Sequence, residues 1–210
     1  MELGRRRNAT TPTAIARALA LPQEPFLFLR KWLRDPLSIA AVAPSSPALA
    51  AAMARAVPPG PGTVVELGGG TGAITRALLE RGEAPVVVER DADFCALLTR
   101  RFPTCRVLKG DALALGALLA GAGVEPPVKA VISGLPLLSM PAAFQLRLLA
   151  QAFAVLEPGA PFVQFSYGLA SPLKERVRRR LGLEAASIAH IWRNLPPARV
   201  WAFRRRDEVR

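Results

Sequence analysis

The chain has 210 residues, of which 51% are hydrophobic, and its formal net charge at pH 7 is +12. This length suits one well-packed domain, and the apolar content excludes wholesale disorder. Residues 1–34 carry seven basic and two acidic side chains, residues 174–210 carry eleven and four, and the segment between them is neutral. Basic ends predict an anionic partner, either a nucleic acid or a membrane surface, with solvated tails as the alternative.

The cysteines and the apolar segments bear on the cellular location of the protein and on whether it spans a membrane. The two cysteines, Cys95 and Cys105, are not needed to stabilise a chain of this size, which favours a reducing, cytoplasmic location. Arg17 interrupts the region that an export signal would need to be apolar. The uncharged windows 37–54 and 130–146 contain prolines, so neither predicts a membrane-spanning helix.

The first predicted element is a short helix at 26–34, FLFLRKWLR. Its aromatic and leucine side chains accompany Arg30, Lys31 and Arg34, a composition typical of a helix lying in a lipid headgroup layer. The same apolar face could instead pack on the rest of the protein. We expect residues 1–46 to form an N-terminal helical arm facing membrane or substrate, and residues 47–210 to form the main domain.

From residue 62 onward, short β-branched segments alternate with longer Ala-, Leu- and Arg-rich segments. The predicted strands are 63–67, 85–89, 105–109, 128–133, 161–167, and two near 185–192 and 198–204. The predicted helices are 71–81, 92–102, 112–120, 141–156 and 172–181. This alternation predicts a parallel sheet with helical crossovers on both faces. Ligands of such sheets bind beyond the carboxyl ends of the strands, so the residues following each strand are the candidates.

The segment VVELGGGTGA (64–73) connects the first strand to its helix through four glycines, which allow backbone to approach a ligand closely. Gly68, Gly70 and Ala73 fit a dinucleotide fingerprint, whereas Glu66 with Gly68, Gly70 and Gly72 fits the E-x-G-x-G-x-G loop of S-adenosylmethionine (SAM) methyltransferases. A carboxylate would repel a pyrophosphate but attract the cationic groups of SAM. Glu66 therefore favours SAM.

Two further acids follow the next two strands. Glu89 ends the second strand, where a carboxylate can accept both ribose hydroxyls. Asp111 follows the third strand, where an acid can accept the adenine amine. Either acid alone would be an ordinary turn residue, but three acids after three successive strands predict a SAM site.

The turn after the fourth strand, in VISGLPLLSMP (131–141), faces the position of the transferred methyl group. Methyltransferases of nucleic-acid bases commonly have an Asn or Asp followed by Pro and an aromatic residue here, and the ring stacks on the extruded base. This chain has Ser133, Gly134, Leu135, Pro136 and Leu137, with no ring. Such an aliphatic lining favours a small amine carried on a lipid.

The chain resembles the bacterial phospholipid N-methyltransferases, which convert phosphatidylethanolamine stepwise to phosphatidylcholine with SAM. The resemblance extends over nearly the whole chain and is most specific in SGLPLL (133–138) and WRNLPPA (192–198). It also includes the segments 28–38, 42–46, 66–72, 88–91 and 164–168. It implies a class I methyltransferase fold, an α/β Rossmann-like sheet of seven mostly parallel strands with helices on both faces, plus the N-terminal helical arm.

By position, the resemblance assigns most of a cofactor-binding set, with S-adenosylhomocysteine as the product. The basic helix at 26–34, the apolar turn and the segment 192–198 supply a substrate-binding set. The expected cofactor-binding residues are Glu66, Gly68, Gly70, Thr71, Gly72, Glu89, Arg90, Asp111, Ala112 and Ser133. The expected substrate-binding residues are Arg30, Lys31, Gly134, Leu135, Pro136, Trp192 and Asn194, with the Arg178–Arg180 cluster as a further candidate for the lipid phosphate. No metal site is expected.

Tyr167, the only tyrosine, follows the fifth strand and is the candidate catalytic residue that contacts the amine. A structural aromatic at the end of the sheet is its alternative role. His190, the only histidine, lies in an apolar strand-like segment, where a structural role is favoured over a catalytic one.

We therefore expect a peripheral enzyme at the inner face of the cell membrane, with an anionic membrane and a phospholipid as partners and no nucleic acid. The first rival hypothesis is an rRNA or DNA adenine N6-methyltransferase, which the basic ends favour. The second is a membrane-binding protein that keeps SAM only as a ligand.

Overall fold

The computed structural model describes residues 46–206 except residues 193 and 195. The expected helix at 26–34, and with it Arg30 and Lys31, lies outside the described residues. The boundary predicted between an arm and a domain at residue 46 therefore stays a prediction.

The described residues contain one seven-stranded sheet with the order β3-β2-β1-β4-β5-β7-β6. The strands are β1 (Val64–Leu67), β2 (Val86–Glu89), β3 (Arg106–Lys109), β4 (Ala130–Ser133), β5 (Phe162–Tyr167), β6 (Leu183–Ile191) and β7 (Ala198–Arg205). The first five are parallel, and β7 inserts antiparallel between β5 and β6. The predicted α/β fold with a mostly parallel sheet is confirmed.

Five of the six α-helices in the described residues lie close to their predicted positions, whereas the first was not predicted. The helices are α1 (Pro47–Ala54), α2 (Ala73–Leu79), α3 (Ala92–Arg101), α4 (Leu115–Gly121), α5 (Ala142–Val155) and α6 (Glu175–Arg180), with short 3₁₀ turns at Ala112–Ala114 and Leu137–Ser139. Side-chain caps fix two of the starts, because Ser46 accepts from the Leu49 amide and Asp91 accepts from the Asp93 and Phe94 amides. Helix α2 begins two residues later than predicted, since the glycines before it form the loop.

The sheet is covered on both faces, so alternate side chains of each strand enter different cores. Val65 and Leu67 of β1 join the core that α4 and α5 cover, together with Phe162. Val64 and Ile132 join the opposite core, which includes residues of α1 and α2. Glu66 has the same parity as Val64 and is buried against α2, where it contacts Thr75.

The strand register brings the predicted site residues to one edge of the sheet. Leu67 is paired with Ser133, and Ser133 is paired with Gln164. Tyr167 at the end of β5 is paired with Ala198, the first residue of β7. The cofactor loop, the apolar turn and the tyrosine therefore follow adjacent strands.

Candidate active site

The carboxyl edge presents the predicted groups in the order of the strands. From β3 across to β5 they are Asp111, Glu89, the glycine loop after Leu67, the turn after Ser133, and Tyr167. An elongated ligand lying along this edge would contact the acids at one end and the apolar turn at the other.

The glycine loop takes a shape that requires glycine. Gly68, Gly70 and Gly72 have φ values of +75°, +51° and +84°, a region that other residues rarely adopt. A Cβ at Gly72 would lie 2.2 Å from the Phe102 ring, whereas a Cβ at Gly70 would meet no atom within 4 Å. The Thr71 carbonyl, in the same loop, accepts a hydrogen bond from Arg101 at 2.8 Å. The loop is thus packed against α3 on one side and open at Gly70 on the other.

Glu89 is fixed beside this loop by backbone amides. Its Oε2 accepts from the Gly70 amide at 3.0 Å, and its Oε1 accepts from the Arg90 and Asp91 amides at 2.7 and 2.9 Å. Each carboxylate oxygen has further acceptor capacity. Glu89 is therefore oriented and still able to accept hydroxyl donors, as a ribose contact requires.

Asp111 and Ala112 lie one strand further along the edge. Asp111 is exposed and caps the following 3₁₀ turn by accepting from the Leu113 amide at 2.9 Å, while Ala112 is buried. Arg90 is exposed next to Glu89. These residues form the outer end of the edge, as the sequence predicted.

Glu66 lies beneath the glycine loop. It is fully buried, its Oε2 accepts from the Thr75 hydroxyl at 2.7 Å, and its Oε1 accepts no hydrogen bond from the described residues. Burial raises the pKa of Glu66 to about 8, while the Thr75 bond partly opposes this effect. The sequence argument took Glu66 as a charged group, but the carboxyl is protonated at pH 7 unless a cation reaches it.

The apolar turn contacts the glycine loop directly. The Gly134 amide donates to the Leu67 carbonyl at 2.8 Å, and a Cβ at Gly134 would lie 2.7 Å from the Gly68 carbonyl oxygen. Ser133 is buried, and its hydroxyl accepts from the Leu135 amide at 3.3 Å. Two predicted elements of the site are therefore in contact with each other.

Tyr167 adjoins this turn, as expected. A shallow hollow, partly open to solvent, is lined by Leu135, Pro136, Leu137, Leu138, Gln164, Phe165, Ser166 and Tyr167. The Tyr167 ring meets Phe165 edge-on at 5.4 Å. Burial raises the pKa of Tyr167 above its ordinary value of 10, and a hydrogen bond with the Asn194 side chain partly opposes this effect.

The structure separates the other predicted substrate residues. Asn194 is buried beside Tyr167, but Trp192 is 70% exposed and lies with His190, Leu169 and Arg199 at a neighbouring surface hollow. The His190 ring is within 3.1 Å of the Ser187 hydroxyl and edge-on to Trp192. Neither His190 nor Trp192 lines the hollow at Tyr167.

The Arg178–Arg180 cluster lies away from this edge. It precedes Leu183, the start of β6, which is paired with Arg205 at the opposite end of the sheet. A role for the cluster at the lipid phosphate in this hollow is not supported by the topology.

One residue of the hollow, Gln164, received no role from the sequence. It is 1% exposed, and its Nε2 donates to the Leu135 carbonyl at 2.9 Å. A polar residue inside the apolar segment PFVQFSY was the available signal.

Two further features bear on function. Within residues 46–206 as described, no three His, Cys, Asp or Glu side chains come together as metal ligands. None of the helices in the described part of the chain combines the length and the apolar character needed to cross a bilayer.

Comparison with solved structures defines the class. The fold matches a TehB-like SAM-dependent methyltransferase from Corynebacterium glutamicum, with a TM-score of 0.58 at 17% identity over 87% of this chain and 98% of that one. A 1,6-didemethyltoxoflavin-N1-methyltransferase from Burkholderia thailandensis gives a TM-score of 0.59 at 15% identity over 96% and 94% of the two chains. Both likenesses show that the chain has the fold of the class I SAM-dependent methyltransferases, and SAM is the cofactor of that class.

Comparison with curated sequences defines the family, although no family model matches the chain. The chain is 38% identical over 181 residues to the ornithine lipid N-methyltransferase of Singulisphaera acidiphila, covering 82% of this chain and 92% of that protein. It is also 40% identical over 93 residues to a ribosomal RNA small subunit methyltransferase A of Synechococcus, but covers only 31% of that enzyme. The chain belongs to the family of lipid-directed class I methyltransferases that includes the ornithine lipid enzyme.

Proposed function

We propose that this protein transfers methyl groups from SAM to the amine of a membrane lipid. The observation that carries the proposal is the hollow where the apolar turn 135–138 meets Tyr167, next to the glycine loop. Its lining carries no charge and combines the aliphatic turn with Gln164, Ser166 and the rings of Phe165 and Tyr167. Position 137, where base methyltransferases have a stacking ring, is a buried leucine. Such a hollow suits a small aliphatic amine better than a flat base.

The residues beside β1, β2 and β3 fit SAM. In this assignment Glu89 accepts the ribose hydroxyls, while Asp111, Ala112 and Arg90 contact the adenine. Gly68, Gly70, Thr71, Gly72 and Ser133 surround the methionine part, above Glu66. The unpartnered buried Oε1 of Glu66 and the open face of Gly70 support this part of the assignment, because a cationic amino group lying there would supply the missing donor. Bound SAM supplies an electrophilic methyl group on a sulfonium.

The chain's own contribution is to desolvate and orient the amine. An alkyl ammonium titrates near 10, as lysine does, so it must lose a proton before it attacks. A lipid headgroup that fills the hollow displaces water from it, and this desolvation lowers the amine pKa because it disfavours the charged form. Since burial raises the Tyr167 pKa, its hydroxyl stays protonated at neutral pH and acts as a hydrogen-bonding group rather than a base. Holding nitrogen in line with the methyl group provides most of the acceleration.

Two headgroups present a suitable amine. The relative from Singulisphaera is named for ornithine lipid, which makes the side-chain amine of that lipid the first candidate. The SGLPLL and WRNLPPA segments resemble the phospholipid N-methyltransferases, which makes phosphatidylethanolamine and its mono- and dimethyl derivatives, leading to phosphatidylcholine, the second. Gly134, Leu135 and Pro136 would line the headgroup site in either case.

We also propose that the protein works at the inner face of the cell membrane as a peripheral enzyme. Leu169, Ile188 and Trp192 are 69, 43 and 70% exposed, and they are the large apolar side chains that the described residues leave in solvent. Leu169 and Trp192 lie just beyond Tyr167. Contact of this surface with a bilayer would bring a headgroup amine near the hollow, with the basic ends of the chain attracted to anionic lipid.

Methylation of adenine in ribosomal RNA is the rival, favoured by the local identity of 40% over 93 residues. It requires an acceptor for the base amine and a stacking surface, and stacking contributes roughly 1–3 kcal/mol per base. The turn offers Ser133, Gly134 and Leu137 at those positions. At these positions the turn therefore lacks the Asn or Asp acceptor and the stacking ring typical of base methyltransferases.

The test is methyl transfer from labelled SAM to four acceptors: vesicles of phosphatidylglycerol alone, the same vesicles with phosphatidylethanolamine, the same with ornithine lipid, and a structured ribosomal RNA. We expect label in one or both aminolipids and none in the RNA or in phosphatidylglycerol alone. Glu89→Ala should abolish transfer, whereas Glu80→Ala, an exposed acid after α2, should not. Labelled RNA with unlabelled lipid would refute the proposal.

A further inference from the structure

Gln164 of β5 stands between the apolar turn and Tyr167 at the hollow. It is 1% exposed, and its Nε2 donates to the Leu135 carbonyl at 2.9 Å and to the Phe165 carbonyl at 3.1 Å. Both partners accept only, so the amide nitrogen must face them; a flipped amide would put its oxygen against two oxygens. The orientation of Gln164 is therefore fixed by its surroundings.

This orientation leaves the amide oxygen without a donor. Gln164 Oε1 is buried and accepts no hydrogen bond from the described residues. Buried polar atoms are nearly always hydrogen-bonded, and one without a partner weakens the folded state. The Nε2 of Gln164 is thus held by two carbonyls, while its Oε1 is free to accept. This arrangement points to a ligand that donates N–H groups to Oε1.

Gln145 shows what a purely structural glutamine looks like in this fold. It lies on α5, is fully buried, and its Nε2 donates to the carbonyls of Leu137 and Pro172 at 2.6 and 3.1 Å. Its Oε1 accepts from the Lys174 amide at 3.0 Å. Both glutamines donate to carbonyls of the same turn. Of their two side-chain oxygens, only that of Gln164 accepts no hydrogen bond from the described residues.

We infer that Gln164 is a specificity-determining residue whose Oε1 accepts an N–H of the substrate amine while its Nε2 holds the turn at Leu135. The inference rests on the proposed function. A neutral amide oxygen orients the amine without stabilising its ammonium form as strongly as a carboxylate would. It therefore positions the nitrogen lone pair and still allows deprotonation.

The chemistry gives this role a signature. In each round the ammonium first loses a proton to solvent; the neutral amine then uses its lone pair to form a new N–C bond, and the C–S bond breaks with its electron pair left on sulfur. The reacting neutral amine has two N–H groups in the first step, one in the second and none in the third. Gln164 can therefore assist the first two methylations but not the third.

The experiment compares kcat/KM for primary, monomethyl and dimethyl forms of phosphatidylethanolamine, and of ornithine lipid, in phosphatidylglycerol vesicles. For Gln164→Leu we expect kcat/KM to fall roughly tenfold for the primary and monomethyl amines, with little change for the dimethyl amine. For Gln145→Leu, the matched control, we expect all three to fall by the same factor. Equal losses in Gln164→Leu would overturn the inference and indicate a structural role or a buried water.

A second comparison is needed if the wild-type protein does not methylate the dimethyl lipid, or if the Gln164→Leu protein does not fold. Gln164→Glu keeps an acceptor oxygen at this position, and its protonated carboxyl can still donate to the Leu135 carbonyl. We expect kcat/KM for the primary amine to stay within a few-fold of wild type in Gln164→Glu and to fall roughly tenfold in Gln164→Met, which lacks both groups. Equal losses in these two variants would contradict the inference. Failure of the proposed function looks different, because the wild-type chain would then bind SAM and methylate neither lipid.

Discussion

Gly134 lies so close to Gly68 that a Cβ at position 134 would be 2.7 Å from the Gly68 carbonyl oxygen. The contact joins the turn after β4 to the loop after β1, which are the proposed substrate and cofactor elements. The two nearest atoms, the carbonyl oxygens of Gly68 and Leu67, belong to the backbone and cannot rotate away as a side chain can. A side chain at position 134 would therefore push the turn and the loop apart.

Gly134→Ala should lower both SAM affinity and methyl transfer, with transfer reduced by at least about tenfold, because small displacements in a site that aligns three atoms are costly. Calorimetry with SAM and a lipid assay measure the two effects. Gly116→Ala is the control, since residue 116 lies in α4, where a Cβ would meet only the Gln151 side chain at 3.7 Å. Full activity in Gly134→Ala would show that the two elements move independently.

Tyr167→Phe should reduce kcat/KM for the lipid amine by about tenfold, because one hydrogen bond is lost while the ring remains. SAM affinity should not change. Tyr167→Ala should further weaken the later methylations, because the ring face can contact the methylated ammonium. Product analysis by mass spectrometry distinguishes the variants, and identical product patterns would argue against a role for the ring.

The buried carboxyl of Glu66 should make stability depend on pH. Its folded pKa of about 8 exceeds the ordinary value of 4.5, so the folded state holds the proton more tightly than the unfolded state. The free energy of unfolding should therefore fall as pH rises from about 4.5 to about 8, by at most about 1.4 kcal/mol per pH unit from this group. Urea denaturation of wild type and Glu66→Gln across this range tests it. Parallel profiles would mean that Glu66 does not titrate there.

Lys129 is a buried cation whose Nζ bonds the Glu83 carboxylate at 2.8 Å and the Gly60 carbonyl at 2.5 Å. Glu83→Gln should destabilise the fold by about 3 kcal/mol or more, because it leaves the charge of Lys129 buried without its counter-ion. Combining Glu83→Gln with Lys129→Met should recover much of this loss. Chemical denaturation measures both, with Glu80→Gln as the exposed control.

Replacing Leu169 and Trp192 by serine should weaken binding to phosphatidylglycerol vesicles by roughly tenfold or more, given the apolar area that a bilayer would cover. Sedimentation with vesicles is the measurement. Arg206→Ala is the control, since residue 206 follows the end of β7 at the opposite edge of the sheet. A larger loss in Arg206→Ala than in the double variant would place the membrane contact elsewhere.

The positions of the residues expected at the cofactor could be predicted from the strand boundaries, because they lie at or soon after the carboxyl ends of the strands. Glu89 and Asp111 needed only the strand boundaries and a parallel sheet. The amine side was harder to predict, since it depends on pairs distant in sequence. The contact of Tyr167 with Asn194 arises because β7 inserts beside β5, and the spare oxygen of Gln164 depends on carbonyls from two segments. The periodicity of the strands in the sequence predicts neither the contact of Tyr167 with Asn194 nor the missing partner of the Gln164 oxygen.

The antiparallel pair β6–β7 carries Asn194 in its connecting loop and places it against Tyr167, whereas the groups proposed for the donor follow β1, β2 and β3. Under the proposed function, the groups that bind the methyl donor and those that select the acceptor therefore belong to separate stretches of the chain. A new acceptor could evolve through changes in residues 135–138, 164–169 and 190–199 while the other half stays intact. Chimeras that exchange these stretches between relatives should carry lipid preference with them.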